Sequence, residues 1–298
     1  LDFDDEPGDP GDVPAVLGRL RPPAAGRSGV PRSRNRLSED SGPGRPRLRL
    51  RTRGRRAQLQ AGESESLENL TDNLARVRER VRRAAERAGR SPEEVTIVAV
   101  TKGVDAPTVQ AALELGVADI GENRVQEARA KFPELVFPPG ARRHMIGHLQ
   151  SNKVRHALQL FDMIHSLDRP SLGEALSRRA TALGVEVPVL VQVNVAGEAT
   201  KHGVAPERVL DFVREMAKLP GLRIEGLMTM APFAEDPETV RPVFRRLREL
   251  RDQVAEADIQ GVHMHCLSMG MTNDFEVAVE EGSTMVRIGT ALFGKRTP

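Results

Sequence analysis

Val95-Thr96-Ile97-Val98-Ala99-Val100-Thr101 is the stretch of sequence that decides the fold. An apolar run without alternation is typical of a strand buried on both faces, as in a parallel sheet covered by helices. The residues before it predict an amphipathic helix that ends near Gly89, because apolar side chains recur every three or four positions. These are Leu67, Leu70, Leu74, Val77, Val81, Ala84 and Ala88. After the strand, Asp105 is a predicted N-cap of a second helix.

The same alternation of short apolar runs and helical patterns continues toward the C-terminus. Further strands are predicted over 117–121, 143–147, 162–167, 187–194, 222–228, 263–267 and 285–288, with helices between them. One of these helices is predicted to be capped by Asp168 and to end near Leu183. Eight strands within the 236 residues that follow residue 62 match a (β/α)8 TIM barrel, for which about 250 residues is usual. The alternative is an open doubly wound sheet, although no Gly-x-Gly-x-x-Gly follows the first strand.

The first 62 residues differ in composition from the remainder. They contain 13 Arg and 8 acidic residues, net +5, whereas the remaining residues contain 31 basic and 34 acidic ones, net −3. This segment is rich in Gly and Pro and has little apolar content to offset the entropy of ordering, so residues 1–62 are predicted to be a disordered tail. The barrel is predicted over 63–298. Because the basic charge belongs to the tail, we expect no nucleic-acid partner for the barrel. An arm that binds nucleic acid or acidic surfaces is the less favoured interpretation of the tail.

Composition also limits the compartment. Cys266 is the one cysteine in 298 residues, and a single cysteine cannot form an internal disulfide, which fits a reducing cytoplasm. No apolar run approaches the roughly 20 residues of a membrane span, so no membrane partner is expected.

In a barrel of this kind, chemistry gathers at the C-terminal ends of the strands. Lys102 directly follows the first strand, in a chain with 6 lysines and 38 arginines. A partly desolvated lysine can act as a nucleophile, whereas arginine stays charged, so Lys102 is predicted to supply an amine. A solvated lysine at a strand end is the alternative.

The loops after strands seven and eight supply a second component. In barrels these loops commonly bind phosphate groups. Ser268 and Thr290 offer hydroxyls there, next to glycines that include Gly289. An amine opposite a phosphate cradle is the combination that a phosphorylated aldehyde cofactor needs.

With these motifs in place, the sequence resembles the pyridoxal phosphate homeostasis proteins, a family related to the barrel domain of alanine racemase. The resemblance covers about residues 67–296. Its motifs include Val98-Ala99-Val100-Thr101-Lys102, Gly121-Glu122-Asn123-Arg124-Val125-Gln126-Glu127-Ala128, Ile146-Gly147-His148-Leu149-Gln150-Ser151-Asn152-Lys153, Leu267-Ser268-Met269-Gly270-Met271 and Ser283-Thr284-Met285-Val286-Arg287-Ile288-Gly289-Thr290.

The resemblance implies a role for each of six residues. Lys102 would hold pyridoxal 5'-phosphate as a reversible aldimine, or Schiff base. Ser268, Gly289 and Thr290 would bind its phosphate. Arg287 would face the pyridine nitrogen, and Asn123 would lie near the cofactor. The expected function is to carry or buffer the cofactor in the cytoplasm, with apo-enzymes that depend on it as partners and the protein itself a monomer.

The alternative function is an amino-acid racemase of low activity. Alanine racemase uses a tyrosine of a second domain as a catalytic base, but this chain has no tyrosine and its sequence stops at Pro298, shortly after the last helix begins. Arg124 also stands where the family often has an aromatic residue. We therefore expect a binding protein rather than an enzyme.

Weaker signals come from two single residues and from one group of three. Glu122 could be a general base, although a cap or salt bridge is as plausible. His148 could contact a ligand or only hydrogen bond to backbone. His263, His265 and Cys266 lie close in sequence, but two converging side chains do not make a metal site, so no metal is predicted.

Overall fold

The computed structural model describes residues 49–198 and 201–294, with side chains from Leu67 onward. The barrel lies in the second of the two units into which the chain divides, Leu1–Arg51 and Thr52–Pro298. Eight strands alternate with helices in this part of the chain. The strands are β1 Thr96–Val100, β2 Asp119–Glu122, β3 Arg142–Met145, β4 Met163–Leu167, β5 Val187–Gln192, β6 Leu222–Met228, β7 Val262–Ser268 and β8 Met285–Ile288.

The helices cover the outside of the strands. They are α1 Arg49–Arg87, α2 Ala106–Glu114, α3 Val125–Lys131, α4 Val154–Leu160, α5 Pro170–Leu183, α6 Val209–Met216, α7 Arg241–Glu256, α8 Phe275–Glu280 and α9 Thr290–Phe293. Short 3₁₀ turns precede α4, α6 and α7. None of the helices in the described residues is both long and apolar enough to cross a membrane.

All eight strands are parallel, and they form a closed barrel in sequence order. The barrel closes where β1 pairs with β8, with Thr96 opposite Met285 and Ala99 opposite Ile288. An open doubly wound sheet would leave both of these edges unpaired, so the predicted (β/α)8 barrel is confirmed.

Two apolar cores stabilise the barrel. The larger one lies between the strands and the helices, where α1 contributes Leu70, Leu74, Val77 and Val81. The smaller one collects one side chain from each of six strands, which places it inside the barrel: Val98, Met163, Leu190, Met228, Cys266 and Met285. Buried polar side chains also occur on the strands, among them His144, His165, Ser268 and Arg287.

Several predicted elements need correction at their ends. Strand β3 stops at Met145 rather than 147, because the chain turns at Gly147 toward the loop after β2. Asp168 does not cap α5; Arg169 occupies the N-cap and Pro170 the first helical position. Asp105 does cap α2, since its side chain accepts a hydrogen bond from the backbone N–H of Thr108.

The N-terminal segment is only partly described. Helix α1 begins at Arg49, ahead of the boundary predicted at residue 62, because no proline interrupts residues 47–91 and the Arg, Leu, Gln, Ala and Glu that dominate them are good helix formers. Residues 1–48 lie outside the described part of the chain. The predicted disorder of the tail therefore stays a prediction.

Candidate functional site

Lys102 lies two residues after the end of β1, and its half-buried side chain lines a cavity of about 450 Å³ at the C-terminal end of the barrel. Arg287, Gly289 and Thr290 line the same cavity. The loops after β6 and β7 contribute residues 232–234 and 271–274 to the lining. Small-molecule sites have about this volume. The structure thus brings together four of the six residues that the sequence predicted.

A buried ion pair fixes the backbone before Lys102. Thr101 donates from its hydroxyl to Glu122 Oε1 at 2.7 Å. Lys131 Nζ donates to the same oxygen at 2.7 Å and to the carbonyl of Thr101 at 2.6 Å. Because the buried side chains of Glu122 and Lys131 both hold Thr101, the exit of β1 toward the cavity is fixed.

The turn after Lys102 is held as well. Gly103 has a φ of +66°, which favours glycine, and its N–H donates to the carboxylate of Glu127. Between these two anchors, the amine of Lys102 has no hydrogen-bond or ion-pair partner within residues 67–198 and 201–294. The amine is therefore available to a ligand in the cavity.

Glu122 is structural in this arrangement. The residue is fully buried, and burial raises the pKa of its carboxyl group while Lys131 opposes the shift. Of the two interpretations of Glu122, the contact with Lys131 supports the salt bridge. Breaking such a buried pair by removing one partner leaves an uncompensated charge.

Arg287 occupies the inner side of the cavity. The residue is 4% exposed, and its guanidinium donates from Nη2 to the carbonyl of Thr229 at 2.8 Å and from Nη1 to Ser268 Oγ at 2.7 Å. Burial lowers the pKa of Arg287 to about 10, against the attraction of Asp274. The side chain is therefore still a cation at neutral pH, and it can only donate hydrogen bonds.

Ser268 does not line the cavity, although the sequence predicted it as a phosphate ligand. It is the last residue of β7, it is fully buried, and its side chain points into the barrel toward Arg287 and His165. The sequence could not decide this direction, because the face of the last strand residue depends on the tilt of the barrel strands. In this geometry Ser268 orients Arg287.

The contact with Ser268 continues as a chain of hydrogen bonds through the barrel interior. Ser268 Oγ lies 3.0 Å from His165 Nδ1, His165 Nε2 lies 3.0 Å from His144 Nδ1, and His144 Nε2 lies 2.8 Å from Asp119 Oδ1. Arg287 must donate to Ser268, and the Asp119 carboxylate must accept, so the assignment with each group donating to the next places a proton on Nε2 of both histidines. Burial holds the pKa of His165 well below its usual range, which keeps this ring neutral.

The far end of this chain is anchored by charge. Asp119 also accepts from Arg142 Nε at 2.7 Å. Although burial opposes it, hydrogen bonds from His144 and Arg142 lower the pKa of Asp119. The carboxylate therefore stays ionised and terminates a chain that begins at the cavity.

Asn123 lies in the loop after β2, and it too is outside the cavity lining. Its backbone approaches Gly147 so closely that a Cβ on Gly147 would lie 2.3 Å from the carbonyl oxygen of Asn123. This close approach explains why position 147, two residues after the end of β3, is a glycine. In this geometry the backbone of Asn123 packs against Gly147.

Thr272 is a cavity residue that the sequence analysis missed. It lines the cavity with Thr290, and its hydroxyl accepts a hydrogen bond from the backbone N–H of Ala291 at 3.3 Å. The chain reaches this position because Gly270 turns with a φ of +94°, where a Cβ would lie 2.6 Å from that of Ala278. The sequence signal for this position was the turn at Met269-Gly270-Met271. The turn brings the hydroxyl of Thr272, rather than that of Ser268, to the cavity.

Comparison with known proteins gives consistent matches over the barrel. A model of the family described as alanine racemase, N-terminal domain, matches residues 73–297. The pyridoxal phosphate homeostasis protein of Aquifex aeolicus is 43% identical over 228 residues, covering 76% of this chain and 99% of that protein. The protein of the same name from Escherichia coli strain K12 is 39% identical over 233 residues, covering 77% and 98%. PipY of Synechococcus elongatus, solved with PLP bound, is similar in structure with a TM-score of 0.67 and 34% identity, covering 76% of this chain and 100% of that chain.

Proposed function

The chain belongs to the pyridoxal phosphate homeostasis protein family, and from that membership we propose that it binds pyridoxal 5'-phosphate reversibly and carries or buffers this cofactor. The observation that carries the proposal is Lys102, an amine without a partner in the described residues that lines a cavity with two hydroxyl side chains. When bound, the cofactor supplies an aldehyde that condenses reversibly with a primary amine and releases water.

The proposal assigns the anionic end of the ligand to the loops after β7 and β8. Thr272 and Thr290 present hydroxyls to the cavity. The N–H groups of Gly289 and Thr290 have no acceptor within the described residues 67–198 and 201–294, and backbone N–H groups in barrel loops commonly bind phosphate. Thr272 takes over in this proposal the role that the sequence analysis gave to Ser268.

Arg287 supports a binding role over catalysis. In the proposal it lies beside the ring nitrogen of the ligand, as the family resemblance implies. A guanidinium there donates a hydrogen bond and disfavours a proton on that nitrogen, whereas a carboxylate would favour one. Without that proton the site stabilises negative charge on a bound amino acid poorly.

We further propose that the protein acts in the cytoplasm without catalytic turnover, as a monomer that supplies cofactor to dependent apo-enzymes. Cys266 supports the compartment, because it is the one cysteine in the sequence. Addition of L- or D-alanine in deuterated water to the loaded protein tests the racemase alternative: no steady α-deuterium exchange is expected, and sustained exchange would establish an enzyme.

Cofactor titration tests the binding proposal. The full chain should develop a yellow absorbance band at one cofactor per chain. Lys102→Arg keeps the positive charge but cannot condense with the aldehyde, so the band should be lost. Lys218→Ala, which removes an exposed lysine of the outer surface, is the matched control and should keep the band. An unchanged band in Lys102→Arg would overturn the assignment.

A further inference from the structure

A second group of polar side chains lies at the same end of the barrel but outside the cavity of Lys102. His148 follows β3, Asp168 follows β4, and His202 lies in the loop between β5 and α6. All three line a separate cavity of about 700 Å³. The function proposed above makes no use of them.

The three side chains converge on one point. His148 Nδ1 lies 3.5 Å and His202 Nδ1 lies 3.8 Å from the same oxygen, Asp168 Oδ2. The two imidazole rings are stacked, with centroids 3.8 Å apart and planes inclined by 17°. Each residue offers one potential ligand atom, and these three atoms all lie within 4.8 Å of one another.

These separations suit a shared ion better than direct hydrogen bonds. Both N···O distances are longer than the usual 2.7–3.2 Å of a hydrogen bond. Ligands about 2.1 Å from a tetrahedral ion are separated by roughly 3.4 Å along each edge. Small rotations of the exposed His202 ring, whose side chain is 59% exposed, would open the stack and point both nitrogens at a common centre.

The carboxylate is already oriented for this role. The Asp168 side chain is 5% exposed, and its other oxygen, Oδ1, accepts from Arg169 Nη1 at 2.6 Å. Arg169 is itself held by the carbonyl of Leu149 at 2.7 Å. Hydrogen-bonded partners of this kind fix the direction of metal-binding carboxylates. The oxygen left toward the two histidines is Oδ2.

We propose that His148, Asp168 and His202 bind one divalent transition-metal ion of the Zn²⁺ type. Two imidazole nitrogens and one carboxylate oxygen match the borderline-soft ions, whereas Ca²⁺ and Mg²⁺ prefer oxygen ligands. Three protein ligands leave a fourth position, which faces the solvent-filled cavity and takes water. The ion ties together the loops after β3, β4 and β5.

The other cluster with metal-ligating atoms is a poorer candidate and a useful control. Glu225, His265 and Cys266 also lie close together, but burial raises the pKa of the Cys266 thiol to about 11, which disfavours the thiolate that binds metals. His263 does not join them, since its ring centroid is 6.3 Å from that of His265. The His265→Ala variant therefore distinguishes zinc binding at this cluster from zinc binding at the cluster of His148, Asp168 and His202.

Zinc titration of the full chain tests the proposal. Tag-free protein is stripped with a chelator and titrated with ZnCl₂ by calorimetry and by competition with a chromophoric chelator, and one ion per chain is expected. Loss of a residue that hydrogen bonds to a metal ligand commonly weakens a metal site 10–100-fold. Loss of a ligand itself should cost more, so His202→Ala and His148→Ala should each weaken zinc binding by at least about 100-fold. His156→Ala and His265→Ala should bind as the parent does.

Cobalt supplies an independent readout of the ligands. Co²⁺ in a four-coordinate site absorbs strongly in the visible, and His202→Ala should lose this absorbance while its circular dichroism stays that of the parent. Parent-like zinc affinity in His202→Ala would overturn the proposal, as would loss of binding in His265→Ala alone. Neither result depends on Lys102 or on the cofactor.

Discussion

Arg287 Nη1 donates to Ser268 Oγ at 2.7 Å, and this contact joins the cavity of Lys102 to the interior of the barrel. Beyond Ser268 the chain of donors runs through His165 and His144 to Asp119. Each group in this chain hydrogen bonds to the next. Residues from β2, β3, β4 and β7 therefore hold the Arg287 side chain, which lines the cavity, in one orientation.

Replacing Ser268 with alanine removes the hydroxyl between Arg287 and His165. A buried donor left without an acceptor costs about 1–3 kcal/mol, more when it is charged. We therefore expect the free energy of unfolding in urea to fall by at least about 1 kcal/mol. Ser171→Ala, an exposed serine in the first turn of α5, should change it by less than about 0.5 kcal/mol. Equal effects of the two variants would show that Ser268 does not orient Arg287.

Thr272 tests where the ligand's anionic group binds. Thr272→Val keeps the shape and removes the hydroxyl, and a hydrogen bond to a charged group contributes about 1.5–3 kcal/mol. Affinity for pyridoxal phosphate should fall roughly 10–100-fold, whereas affinity for pyridoxal, which lacks the phosphate, should not change. The exposed Thr181→Val is the control. A parallel loss for both ligands would place the phosphate elsewhere.

His165 should make the protein less stable in acid. Its folded pKa is depressed by burial, so below about pH 6.5 the unfolded chain binds a proton that the folded chain does not. The free energy of unfolding should then fall as the pH drops, with this histidine contributing a slope approaching about 1.4 kcal/mol per pH unit between roughly pH 5 and 6.

The matched variant for this prediction is His165→Gln, which keeps a polar side chain that does not titrate. Urea unfolding at several pH values should show a slope smaller by that amount in the variant. Identical slopes in parent and variant would mean that His165 takes up its proton in the folded state.

Gly147 and Gly121 form a pair that tests the packing of the loop after β2. A Cβ on Gly147 would lie 2.3 Å from the backbone oxygen of Asn123, whereas one on Gly121 would meet only side-chain ends of Ile146 and Val98 at 3.0 Å. Backbone cannot yield as side chains can, so Gly147→Ala should lower the melting temperature more than Gly121→Ala. Overpacking of this kind costs about 1–3 kcal/mol. The reverse order would contradict the loop geometry.

The sequence predicted the fold because the barrel repeats one simple pattern. Strands buried on both faces give unbroken apolar runs, and their helices give a period of 3.6, so β6 and β8 were predicted with the bounds that the structure has. The family resemblance is confirmed by relatives at 39–43% identity. Helix starts were harder, as Arg169 rather than Asp168 caps α5.

The site was predictable only in part. Positions within two residues of a strand end, such as Lys102 and Gly289, reach the cavity because every barrel strand ends at the same rim. Ser268 is a strand residue that faces inward, whereas Thr272 follows a glycine turn and lines the cavity. The interior partners His144 and His165 come from different strands. No local pattern joins them, so the chain to Asp119 required the three-dimensional structure.

Reductive trapping tests the central proposal most directly. Borohydride reduction of the protein mixed with equimolar pyridoxal phosphate, followed by proteolysis and mass spectrometry, identifies which of the six lysines carries the ligand. The adduct is expected on the peptide that contains Lys102, at close to one per chain. An adduct spread over several lysines, or concentrated on any other one, would contradict the assignment of the cavity.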